Sequence, residues 1–234
     1  MKKNRDKKPV VLRKKIDETE VLKILDDKKT SLFKSLFSRP KKSDIHIHSV
    51  KLSYECILMI SGKYVANYFR KATHSISVDS NVSAVVLGDD IFSVRTKSNF
   101  KKAIVGKRGK NKVDLKLEEH VFVENEDELT FDHHGKEIKF PFKLNSKTTE
   151  NYPNRILEKN SSNVKNSELT HDDAIKKLQS FLKKPLESEV RQLEEEFVLR
   201  EISEVYVPIY ESRLIGPKKK IAIIRIDAVR NKIL

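Results

Sequence analysis

The chain of 234 residues is long enough for one large domain or two small ones, at roughly 100–200 residues each. It carries 48 Lys and Arg against 34 Asp and Glu, a formal net charge of +14, and 38% hydrophobic residues, so a core can form beneath a heavily charged surface. One cysteine, Cys56, excludes an intrachain disulfide and a multi-Cys zinc site, and no run approaches the roughly 18 apolar residues that a membrane helix needs.

The start, Met1 to Lys8, has a charged head with no apolar stretch behind it, unlike a secretory signal, which leads us to expect a cytoplasmic protein. Residues 1–16 read as a basic tail, too poor in apolar side chains to offset the entropy of ordering it. From Asp17 to Phe37 the apolar spacing is helical, with Val21, Leu22, Leu25, Leu32, Phe33, Leu36 and Phe37 on one face. Asp17 or Thr19 can cap the first turn, Thr30-Ser31 can break the helix in two, and Pro40 stops it. Its apolar face is expected to dock on a sheet.

From Asp44 the period becomes two, as in half-buried strands: Ile45, Ile47, Val50, Leu52 and Tyr54, with a slip at His48-Ser49. Tyr54 to Ile57, Tyr64 to Val78, Val82 to Leu87 and Ile91 to Val94 continue as a meander, with turns at Gly62-Lys63, Asp79 to Asn81 and Gly88 to Asp90. Ser98 to Val105 is predicted as a short helix. Strands follow from Val113, and Leu129 to Phe131 with Ile138 to Phe140 read as a hairpin around Asp132 to Lys136, with Gly135 at positive φ. Asn145 to Leu169 reads as a polar linker. Thr170-His-Asp-Asp173 is a capping box with Asp in place of Glu, opening a helix on Ala174, Ile175, Leu178, Phe181 and Leu182 that Pro185 ends. A second helix is expected from Leu186 to about Glu201, and Tyr206 to Leu234 closes the chain as a hairpin turning at Gly216-Pro217.

The stretch Leu52 to Leu87 echoes Val205 to Leu234: an apolar run, a Gly and Lys turn, and a second run closing on an Asp, at Asp79 and Asp227. Turn capping is the role expected for both aspartates. The C-terminal helix and strands, Thr170 to Leu182 and Tyr206 to Leu234, resemble PepSY-type modules, which pack a helix on a small antiparallel sheet. That resemblance implies a binding or inhibitory module and not a catalyst.

Charge is polarised along the chain. Residues 1–43 hold fifteen Lys and Arg against six acids, and Arg95 to Lys112 hold eight against none. Residues 113–139 hold nine acids against three Lys. Such blocks attract a polyanion or a charged protein surface. Gly106-Lys-Arg-Gly109 resembles the GxxG loop of KH modules, whose backbone grips phosphates. Independently of that resemblance, two glycines expose backbone N–H groups while the neighbouring cations neutralise phosphates.

Two histidine motifs could carry chemistry. Asp44-Ile-His46-Ile-His48-Ser49 resembles the first-strand signature of PHP-type and amidohydrolase-type metal hydrolases, and a spacing of two places both imidazoles on one face of a strand. Asp132-His133-His134 resembles the motif of DHH-type phosphoesterases. Read from the residues, the first is an alternating polar strand and the second a polar turn, so His46, His48, His133 and His134 are kept only as metal candidates. No catalytic residue and no cofactor is assigned.

The expected fold class is therefore α+β: a basic tail and amphipathic helix (1–43), an antiparallel β-rich unit (44–144), a linker (145–169), and a C-terminal two-helix and hairpin unit (170–234). The expected function is non-enzymatic binding of nucleic acid or another polyanion through Lys101, Lys102, Lys107, Arg108, Lys110, Lys112 and the tail. A protein-interaction or accessory-subunit role, docking through an acidic surface, is the alternative, and a metal hydrolase using His46 and His48 the third reading.

Overall fold

A computed structural model describes residues 9–34, 40–94, 111–186 and 189–234. It is an α+β protein with one large antiparallel sheet. The chain divides into two compact units, each discontinuous in sequence. Unit one comprises Met1–Lys63, Glu126–Leu182 and Val198–Leu234, and unit two comprises Tyr64–Asn125 and Lys183–Phe197.

The strands are β1 (Val10–Val11), β2 (His46–Val78), β3 (Ala84–Leu87), β4 (Asp90–Ser93), β5 (Asn111–Phe131), β6 (Val164–Lys165), β7 (Val190–Ile215), β8 (Ile221–Asp227) and β9 (Lys232–Ile233). The helices are α1 (Glu18–Leu32), α2 (Pro153–Lys159) and α3 (His171–Leu182). The large sheet has the order β5, β2, β7, β8, β9. Two short strands join it in parallel: β1 sets Val10 opposite Val205, and β6 sets Glu55 opposite Lys165. Strands β7 and β8 are antiparallel, with Glu211 opposite Arg225 and Ile209 opposite Asp227.

In unit one, α1 starts as its sequence dictates. The Asp17 carboxylate accepts from the Glu20 amide at 2.9 Å and Glu20 accepts from the Asp17 amide at 3.0 Å, so each satisfies a donor the first turn leaves open. Val21 and Leu25 are fully buried against Tyr210, Leu214, Ile224 and Ile226, so the apolar face docks on the sheet. Tyr54, Cys56 and Tyr206 pack with Ile156 and Leu157 of α2. Alternate residues of the same strands, Ile57, Val205, Val207 and Ile209, point the other way and are covered by Ile138, Phe140 and Phe142. Helix α3 buries Ala174, Leu178 and Leu182, and its Thr170 hydroxyl accepts from the Asp173 amide at 3.1 Å.

Unit two buries Tyr64, Ala66, Tyr68 and Val113. The Tyr64 hydroxyl donates to Glu195 at 2.6 Å, and Lys183 pairs with the same carboxylate at 2.7 Å. Strands β3 and β4 form a hairpin turning at Gly88, whose φ is 60°.

Several expectations are corrected. Residues 10–12 are not a loose tail: Val11 and Leu12 are buried, because Val10-Val11-Leu12 is an apolar island that the edge of β7 can pair. No turn forms at Gly62-Lys63. Strand β2 runs straight through, whereas Pro217 lacks the N–H that would extend β7, so only the second copy of the echo is a hairpin. The helix expected from Leu186 to Glu201 is absent, and β7 occupies Val190 to Ile215. Glu194-Glu-Glu196 favours helix locally, but sheet pairing overrides propensity there. Residues 145–169 are not featureless, since they supply α2 and β6. Ile138 to Phe140 form no strand beyond a single bridge from Phe131 to Glu137.

Candidate binding sites

The basic segment Arg95 to Lys112 leaves unit two at Val94 and returns at Val113, and these two residues form an antiparallel bridge. Lys101, Lys102, Lys107, Arg108 and Lys110 lie outside the described residues, as does the helix expected at Ser98 to Val105. Lys112 is exposed. Acids close by in sequence are engaged within unit two. Glu119 accepts from Arg70 Nε at 2.8 Å and meets His74, and Arg70, then His74, hold its carboxyl below the usual value. Glu118 lies 3.5 Å from Arg191.

His46 and His48 are exposed on β2. His133 is buried and His134 exposed, their rings 3.9 Å apart. Among the described residues no three His, Cys, Asp or Glu side chains gather in a way that could hold a metal. The Asp132 turn forms as expected: its carboxylate accepts from the His134 and Lys136 amides at 3.0 Å each, and Gly135 takes φ 79°. Cys56 is buried among Val11, Tyr54 and Tyr206, and burial pushes its thiol up to about 12, so it is not a nucleophile at neutral pH.

Unit one carries a charged cluster that no motif announced. Glu55, on strand β2, is 6% exposed. Its carboxylate accepts from Lys165 Nζ of β6 at 3.1 Å and from Arg225 Nη2 of β8, and it lies 3.5 Å from His133 Nδ1. Two cations offset the desolvation of one buried carboxylate. Lys165 also reaches Glu211 at 3.5 Å. Burial pushes the His133 imidazole below its ordinary value, against the pull of Glu55, so His133 is neutral near pH 7. His134 meets Glu168 at 3.0 Å. Beside the cluster, Asp227 is 1% exposed and accepts from the amides of Val229 at 2.8 Å and Arg230 at 3.0 Å, and from Arg230 Nε at 2.6 Å. This is the capping role expected for it. Lys165, Asn166, Glu168, Glu211, His133, His134 and Arg225 line a cleft of about 500 Å³.

The sequence held a signal for this cluster. Glu55 interrupts the apolar run from Tyr54 to Ile60, and Arg225 interrupts Ile221 to Ile226, an acid and a base each alone among apolar neighbours. A charge in such a run is buried only if paired. Among the described residues no helix is long and apolar enough to cross a membrane. No family model, no curated protein and no solved structure matches this chain.

Proposed function

We propose that the protein is a non-enzymatic binding protein that engages nucleic acid or another polyanion through the basic segment 95–112, assisted by the N-terminal cations. The observation that carries this reading is the Val94 to Val113 bridge, because it roots a run of eight cations and no acids at one point of unit two. Joined ends keep the two ends of this basic run together, which supports its acting on one stretch of phosphates. The pairing of Glu119 with Arg70 and of Glu118 with Arg191 supports it, since those carboxylates are occupied elsewhere. Lys101, Lys102, Lys107, Arg108, Lys110 and Lys112 are the residues assigned to contact, and Gly106 and Gly109 have no side chain to keep phosphate oxygens from their backbone N–H groups. Contacts of this type give salt-dependent affinity with little sequence preference.

The test is fluorescence anisotropy of a labelled single-stranded oligonucleotide across a salt series. The expected result is a linear fall of log affinity with log salt. Replacing Lys107, Arg108, Lys110 and Lys112 with Ala reduces the slope by about 3, from roughly 0.7 per phosphate contact. No binding at low salt, or a slope unchanged by the four substitutions, rejects the reading.

A further inference from the structure

The charged cluster of unit one is not explained by polyanion binding, and it opens on more than one side. The polar cleft shares His133, His134 and Arg225 with a second chamber of about 260 Å³. That second chamber is walled largely by apolar side chains: Ile57, Ile138, Pro141, Phe142, Val207 and Ile209. Arg225 stands where the two meet. Its Nη2 donates to Glu55, but its Nε is buried and has no acceptor. A buried N–H on a charged group without a partner is rare, because the donor has given up water and received nothing in return. Phe142 is held in place by the Arg230 guanidinium, whose Cζ lies 5.0 Å from the ring centroid, and Arg230 is tied in turn to buried Asp227. The apolar wall thus rests on a fixed support and not on a free loop side chain.

We propose that this two-chambered cleft is a binding site for a small amphipathic carboxylate. The carboxylate meets the Arg225 side chain, 35% exposed, with the Lys165 ammonium beside it, and the apolar body lies in the second chamber against Phe142. Arginine recognises a carboxylate in the plane of its guanidinium, and Glu55 engages that plane through Nη2 alone and leaves the buried Nε without an acceptor. A head group with one charge suits the site better than phosphate, because Arg225 and Lys165 are already shared with Glu55 and Glu211. Lys165 is the mobile partner. Its side chain is 40% exposed and its contact with Glu211, at 3.5 Å, is the longer of its two. Exchanging Glu211, itself 43% exposed, for a ligand oxygen returns the Glu211 carboxylate to water. The mixture of an apolar lining with a few convergent polar groups is that of small-molecule sites in general.

The experiment is an NMR titration of the full chain with sodium hexanoate, following the imidazole C–H signals of His133 and His134. Hexan-1-ol and inorganic phosphate are run as controls. The expected result is a saturable shift with hexanoate, with both controls weaker by roughly tenfold or more, as for loss of a charge-assisted hydrogen bond or of the buried body. Arg225→Lys keeps a cation for Glu55 but removes the planar guanidinium, and is expected to weaken hexanoate by about tenfold. Phe142→Ala, at a half-exposed position, leaves the charged cluster untouched and is expected to weaken hexanoate while leaving phosphate unchanged. Glu211→Gln removes the competing carboxylate and is expected to tighten hexanoate binding. Melting curves establish that each variant is folded. The absence of a saturable shift with hexanoate overturns the proposal. So does phosphate or hexan-1-ol binding as tightly as hexanoate, or Phe142→Ala and Glu211→Gln leaving the affinity unchanged. The lysines of segment 95–112 are intact in all these variants, so the outcome is independent of the polyanion reading.

Discussion

Asp227 gives the sharpest test of how the C-terminal end of unit one is held. The carboxylate is 1% exposed and serves three donors: the amides of Val229 and Arg230 and the Arg230 guanidinium. Replacement by Ala leaves those donors without their acceptor. Breaking a buried charge pair costs about 3–5 kcal/mol. The Arg230 side chain is 34% exposed and can recover water, which brings the expectation down to about 2–4 kcal/mol. Set against a total stability of roughly 5–15 kcal/mol, this is a large fraction. For a protein of this size it lowers Tm by about 5–15 °C, at 2–4 °C per kcal/mol. Asp227→Asn separates the two roles. Its remaining oxygen can still accept from both amides through Oδ1, so only the charge-assisted bond to Arg230 is lost, and we expect about 1–2 kcal/mol. The assay is thermal melting by circular dichroism, with hydrogen exchange of the β8 amides reporting on unit one in particular. If Asn is as damaging as Ala, the backbone-capping argument is wrong. If Ala costs under about 1 kcal/mol, the whole account of Asp227 fails.

Gly216→Ala is expected to destabilise by about 1–3 kcal/mol, because its new Cβ would stand 2.5 Å from Cδ1 of Phe33. The φ of Gly216 is −106°, so the cause is steric, and pairing the change with Phe33→Ala should recover part of the loss in a double-mutant cycle; purely additive effects would refute it. The Cys56 thiol, pushed up to about 12, stays protonated in the fold while the unfolded thiol ionises near 8.5. Its contribution is therefore complete below about pH 8.5 and is lost as pH rises toward 12, by about 1–2 kcal/mol near pH 10. Urea midpoints of the wild type and Cys56→Ser across that range check this, and rapid alkylation of the native thiol near pH 8 would contradict it. Removing the α1 cap with Asp17→Ala is expected to cost about 1 kcal/mol, read as a shift in the urea midpoint.

Much of the local structure was legible. The capping residues Asp17 and Thr170, the turns at Gly88 and Gly135, the buried thiol of Cys56 and the turn-capping Asp227 all follow from chemistry spanning a few residues. The charged cleft was not. Glu55 and Arg225 each stood out as lone charges in apolar runs, yet nothing along the chain says that they meet, or that Lys165, from a stretch that reads as a linker, completes the pair. The sequence keeps His133 and His134 only as metal candidates in a polar turn, and what the structure puts beside them is Glu55, Arg225 and Glu168.

The amino-acid order alone determined where α1 and α3 begin, that Gly88 and Gly135 sit in turns, and where charge accumulates, because capping, positive φ and net charge depend on neighbours only. The tertiary structure decided the rest. Strand β2 passes through Gly62 and β7 displaces an expected helix because hydrogen-bond pairing between distant strands outweighs local preference. The same pairing sets Glu55 opposite Lys165 and Glu211 opposite Arg225, so the register of the sheet, and not any contiguous motif, assembled the cleft.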